Sequence, residues 1–134
     1  MDRIQMKEML TNARTIAVVG LSDKPDRASY GVAAYLQRAG YKIIPVNPVL
    51  KGPVLGEQPV ASLSDIKEPI DIVDIFRRSE DVPPVVEEAI AVGARAVWFQ
   101  LGIVNDEAAA AAQAAGLDVV QDKCLKVEHA VLGI

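Results

Sequence analysis

Acidic residues outnumber basic ones in this chain, 18 to 14, yet two cations stand close after one glycine. Lys24 and Arg27 follow within seven residues of Gly20, which closes the apolar run Thr15-Ile16-Ala17-Val18-Val19. A strand ending on a residue without a side chain lets backbone approach a phosphate closely. A helix that begins near Ser29, Tyr30 and Gly31 offers free N–H groups at its start. These features make an anion cradle, or else a solvated loop that uses Gly20 only for its turn. A second cationic point is Phe76-Arg77-Arg78-Ser79. Arginine pairs with phosphate oxygens in fork geometry. Phe76 is either a stacking surface for an adenine or a core residue closing a strand, and Arg78 either joins the cations or faces water.

Three further loops bear on the choice of ligand. Asn47-Pro48 ends a second apolar run, and Asn-Pro alone is also an ordinary turn. Gln100-Leu101-Gly102 follows Ala96-Val97-Trp98-Phe99, and Gly102 again permits close backbone approach; Trp98 is read as core. Asp122-Lys123-Cys124 ends the last strand. Cys124 beside a lysine is either a reactive thiol facing a cofactor or a small apolar residue. His129 is read as a satisfied or surface histidine. A nicotinamide site asks for G-x-G-x-x-G after the first strand and an acidic residue at the end of the second. Here the next glycine after Gly20 is Gly31, and the second strand ends in Asn47. A phosphate-binding Gly-Lys-Ser/Thr motif is missing as well.

Short β-branched runs alternating with segments of helical period are what place these loops together. Strands are expected over residues 15–19, 41–46, 70–76, 95–100 and 117–121. Helices are expected over 1–13, 29–39 (with Ser29 as N-cap and Gly40 beyond its end), 81–91, 106–115 and 124–132, with one turn near 62–66. Pro83 and Pro84 suit a first helical turn, and Pro45 suits a strand end or sheet edge. The alanine run 108–112 is read as helix. The pattern describes an α/β protein: a Rossmann-like, doubly wound sheet of five parallel strands, expected order 3-2-1-4-5, with helices on both faces and residues 1–134 as a single domain. Ligands of such sheets bind outside the carboxyl ends of the strands.

Composition narrows the class. The chain has 134 residues, just over half apolar, and a net charge of −4. That charge disfavours nucleic acid as a general partner. One cysteine and one histidine cannot form a metal cluster without several carboxylates, so no metal site is expected. A lone thiol, no signal-like N-terminus and no long apolar stretch set the expectation of a cytoplasmic protein without a membrane partner.

In their joint order these pieces resemble the small stand-alone CoA-binding domain family. The matching residues are Ile16 to Ser22, Lys24-Pro25-Asp26-Arg27, Ser29-Tyr30-Gly31-Val32, Gly40-Tyr41, Pro45-Val46-Asn47-Pro48 and Leu55-Gly56. They continue with Asp71 to Arg77, Ser79-Glu80, Gly93-Ala94, Trp98 to Gly102, Ala115-Gly116, Asp122-Lys123-Cys124 and Glu128. The family is similar to the N-terminal domain of succinyl-coenzyme A ligase α-subunits. The resemblance implies that Gly20, Leu21 and Ser22 lie by the phosphates of coenzyme A. It puts Asn47, Pro48 and Lys51 beside the nucleotide, and Gln100 and Leu101 near the pantetheine arm. Ligase activity is not implied, because the phosphorylatable histidine of those enzymes sits on a second domain.

The expected function is a stand-alone module that binds coenzyme A or an acyl-CoA for storage, sensing or delivery, with no catalytic residue named. The alternatives are a thiol-redox module forming a Cys124–CoA mixed disulfide, a nicotinamide-dependent oxidoreductase, and a subunit of a homo-oligomer or of an enzyme whose partner supplies catalysis.

Overall fold

A computed structural model describes residues 1–134. The chain runs α1 (Arg3–Asn12), β1 (Thr15–Val19), α2 (Ala28–Arg38), β2 (Lys42–Val46), β3 (Ile72–Ile75), α3 (Val82–Ala91), β4 (Ala96–Phe99), α4 (Asp106–Ala114), β5 (Asp118–Val120) and α5 (Leu125–Leu132). A single 3-10 turn, Leu63–Asp65, lies in the long β2–β3 connection. No helix is long and apolar enough to cross a membrane.

The five strands form one parallel sheet, as expected for an open Rossmann-like α/β fold, but the order is 2-1-3-4-5. The expected order 3-2-1-4-5 is therefore corrected: β3 pairs with β1 and not with β2. Pro45 supplies one reason. Its carbonyl accepts from the Val60 N–H at 2.9 Å, on the edge of β2 away from β1. Within a strand residue, N–H and C=O point to the same side, so the donor that proline lacks is missing from that edge. A full strand there would lose a ladder bond, and a one-residue bridge between Val46 and Val60 closes the edge. Asp71 supplies the other reason. Its Oδ2 accepts from the N–H groups of Arg14 and Thr15 at 2.8 and 3.0 Å. This fixes the start of β3 against the start of β1, with Ile16 opposite Ile72.

The connection β1–α2–β2 moves one way across the sheet, and β3–α3–β4–α4–β5 moves the other way. Right-handed crossovers then put α2 and α3 on opposite faces. Strand alternation divides the core accordingly. Ala17, Val19, Val73, Ile75, Val97 and Phe99 pack with α3 (Val82, Val86, Ala89) and α4 (Ala108, Ala109, Ala112). Ile16, Val18, Ile72 and Trp98 pack with α1 (Met6, Leu10), α2 (Val32, Ala33, Leu36) and α5 (Leu125). The alanine run thus forms a thin helix face that lies close to the sheet. The reversal of winding falls between β1 and β3, at the centre of the sheet.

Local signals explain most boundaries. Asp2 and Gln5 form a reciprocal capping box on α1, and Asn105 caps α4 through Ala108 N–H. Ser29 is not the N-cap of α2, as its residue type suggested: Arg27 holds that position, and the helix starts one residue earlier.

His129 is buried on α5 and shares a 2.9 Å hydrogen bond through Nδ1 with the Tyr35 hydroxyl of α2. Tyr35 and Tyr41 both meet its ring edge-on. Burial lowers its pKa. A folded-state value below the unfolded one gives stability that is present above about pH 6.5 and is lost as pH falls through the folded value. Thermal unfolding from about pH 7.5 to 5 should show wild type losing stability that His129→Gln does not lose. Equal losses would remove His129 as the cause.

Candidate functional site

Every strand is parallel, so the five C-terminal ends share one rim of the sheet, and the reversal of winding opens it between β1 and β3. Gly20 stands on one side of that opening and Phe76–Arg77 on the other. The Gly20 N–H donates to the Val46 carbonyl at 2.9 Å, and Phe76 N–H donates to the Val19 carbonyl at 2.9 Å. Gly20 has φ +87°, and a Cβ there would collide with the Phe76 carbonyl oxygen. The same Cβ would lie 3.2 Å from Nη1 of Arg77. Glycine is therefore required twice, by its dihedral and by the backbone of β3 lying directly against it.

A cleft of about 440 Å³ opens at this point. Among its lining residues are Gly20, Ser22, Lys24, Arg27, Ser29, Asn47 and Phe76, all singled out from the sequence. Asp23, Ala28, Val49 and Leu50 complete it. Val49 and Leu50 were not expected; they belong to the irregular stretch after Asn47 and give the cleft an apolar side.

Several polar side chains in the group are already engaged within the protein. The buried Ser29 hydroxyl accepts from Ser22 N–H at 3.0 Å, and the Ser22 hydroxyl accepts from Lys24 N–H at 3.1 Å. Asn47 Nδ2 donates to the Leu21 carbonyl at 3.1 Å, and its Oδ1 accepts from Val49 N–H at 3.3 Å. Ser29 and Asn47 therefore hold the first loop in shape. Leu21 is fully buried beneath the loop, backbone included.

Other donors are free. α2 begins without a side-chain cap, and the N–H groups of Ala28, Ser29 and Tyr30 have no acceptor. Lys24, Arg27, Lys51 and Arg77 form no ion pair, whereas Arg78 pairs with Glu80 and Asp81. Arg77 is half-buried and lies across Gly20. The cleft thus combines an open helix N-terminus with the unpaired cations Lys24 and Arg27, Arg77 close by and one carboxylate, Asp23, around a bare stretch of backbone, a setting able to hold an anion.

The remaining expected residues spread along the rim. Tyr30 and Gly31 sit in the first turn of α2, half-buried, while Pro48 and Lys51 are exposed beyond β2. Gln100 is buried, and its Oε1 accepts from Leu125 N–H at 3.2 Å, tying the end of β4 to the start of α5. Leu101 projects into solvent, 70 % exposed. Gly102, with φ +85°, donates its N–H to Oδ1 of Asp122 at 2.7 Å. Trp98 Nε1 donates to the Lys123 carbonyl at 2.7 Å. These bonds place Cys124, half-buried, at the N-cap of α5 on the same rim.

A second cleft, about 340 Å³, opens at the opposite edge between α1 and the starts of β3, β4 and β5. Its charged side chains are Glu8, Asp71, Arg95 and Asp118; Arg95 and Asp71 lie 3.8 Å apart, and Asp71 is committed to the backbone of β1. With three carboxylates and one paired guanidinium, it does not suit an anion.

Fold and rim together define an open, doubly wound α/β protein with an anion-suited cleft at its switch point. Residues 14–130 match the CoA binding domain family. The chain belongs to that family. It is 49% identical over 130 residues to the protein YneT of Bacillus subtilis (strain 168), covering 97% of this chain and 96% of that one. Among solved structures it is similar to a protein of Thermus thermophilus, with 41% identity, TM-score 0.94, and 98% and 99% of the two chains covered. A hypothetical protein from Pyrococcus horikoshii OT3 gives 39% identity, TM-score 0.94, and 98% and 92% coverage.

Gly20→Ala should cost at least about 2 kcal/mol, the sum of a left-handed dihedral and a backbone collision. Chemical denaturation measures this directly. A loss below about 0.5 kcal/mol would show that the β1 and β3 ends separate easily.

Proposed function

We propose that this chain acts as a single-domain, stand-alone module that binds coenzyme A, free or acylated. The observation that carries this reading is the group of unpaired cations, Lys24, Arg27 and Arg77, beside the uncapped start of α2 and the bare Gly20 turn. Coenzyme A bears a diphosphate and a 3′-phosphate, so it supplies enough negative charge for several such groups. Membership of the CoA binding domain family supports the same choice. In this reading the phosphates lie on the 20–22 turn and the α2 N-terminus. The adenosine lies toward Asn47, Pro48, Lys51 and Phe76. The pantetheine arm runs along the rim past Leu101 and Gly102 toward Cys124. Storage, sensing and delivery of the cofactor all use such binding without a catalytic residue.

Calorimetry should show binding of coenzyme A and not of NAD. Arg27→Ala and Arg77→Ala should each weaken it about tenfold or more, the value of a charge-assisted hydrogen bond, and added salt should weaken it further. Binding of NAD in preference, or unchanged affinity in both variants, would reject the reading.

A second reading has one observation in its favour: Cys124 sits at a helix N-cap on the same rim, next to the exposed Lys123. The Cys124 thiolate would attack coenzyme A disulfide, forming a protein–CoA mixed disulfide and releasing one coenzyme A thiolate. Intact mass after incubation with coenzyme A disulfide should show a single adduct of one coenzyme A less two hydrogens, reversed by a reducing agent. No adduct on the native protein would end this reading while leaving simple binding intact.

A further inference from the structure

Asp74 is the one fully buried carboxyl of the chain, and neither of its oxygens has a hydrogen-bond partner. It lies on the central strand β3, opposite Val18 of β1 and Trp98 of β4. The row continues to Pro45 and Val120, so every neighbour across the sheet is apolar. No cation reaches it: burial alone acts on it, and raises its pKa well above the usual carboxylate range. The titratable groups that α1, α2 and α5 enclose on this face are Tyr30, Tyr35, Tyr41, Cys124 and His129. Tyr35 and His129 bond to each other, and Tyr41 bonds to the Leu10 carbonyl.

For the fold alone this residue is a defect. An unpartnered buried polar group is costly, and a valine or leucine would suit the position better. Local rules broken without compensation mark functional sites. The placement fits that view. Residues two apart on a strand share a face, so the next row toward the rim on this face holds Gly20, Phe76 and Gln100, about 6.6 Å away. The N–H of Leu21, also buried, has no acceptor. Two unpartnered buried groups therefore flank the Gly20 turn, one from each side of the β1–β3 opening.

We propose that Asp74 is a positioning residue for the ligand turn, whose carboxyl gains a hydrogen bond with the backbone around Gly20 and Phe76 only when ligand is seated. This rests on the coenzyme A reading above. The test compares wild type, Asp74→Asn and Asp74→Leu by thermal midpoint without ligand, by calorimetry with coenzyme A, and by infrared difference spectra of free against bound protein. Asp74→Leu should raise the midpoint and weaken binding about tenfold, the effect of one hydrogen bond closed only in the complex. Asp74→Asn, which keeps a polar group, should recover most of the affinity. The carboxylic acid C=O band of wild type should shift on binding and be missing in Asp74→Asn. Unchanged affinity in Asp74→Leu, or a lower midpoint or failure to fold, would overturn the proposal by making the carboxyl irrelevant or structural. Failure of wild type to bind coenzyme A would instead reject the underlying reading, and this one with it.

Discussion

The contact of β1 with β3 at Gly20 governs the architecture of the rim. There the backbone of one strand meets the carbonyl of the next with no side chain between them. Because the two strands run in opposite winding directions from this point, the helices that follow leave toward opposite faces and an opening remains between them. The same closeness brings Arg77 over the glycine and leaves α2 starting at the mouth of the cleft. Any Cβ at position 20 would push these elements apart and disperse the charges gathered there.

Electrostatics at the rim follow from what the loops do with their own polar groups. Ser22, Ser29 and Asn47 satisfy backbone groups inside the loops, which stiffens them. Lys24, Arg27 and Arg77 form no ion pair, although Asp23 lines the same cleft. Unpaired cations and open N–H groups gathered at one cleft suit a phosphorylated small molecule, whereas recognition of a nucleic acid needs a broad basic face. Rigid loops with unpaired donors also reduce the ordering cost of binding.

Much of the lining of the candidate cleft was legible in the sequence, since glycine, lysine and arginine next to strand ends announce themselves by type. What was not legible is the division of labour. Ser29 looked like a helix cap and is a loop brace, because the cap position depends on where the chain turns after Pro25. Gln100 looked accessible and is buried, because α5 returns over it. Val49 and Leu50 carry no motif, so only the path of the chain after Pro48 shows that they wall the cleft. Asp74 stands inside an apolar run, and a single acidic letter there does not tell which faces of its strand are covered.

The sequence by itself determined the element types, their near-boundaries, the parallel α/β class and the residues able to meet a polyanion. These depend on local periodicity and on the conformational limits of glycine and proline. The tertiary structure decided the strand order, the burial of Asp74 and the pairing state of each cation. Strand order is set by contacts between distant segments: Asp71 bonds the backbone at Arg14 and Thr15, and Pro45 withholds a donor from the outer edge of β2. Whether a charge is free is a statement about its neighbours in space, which no reading of one residue after another contains.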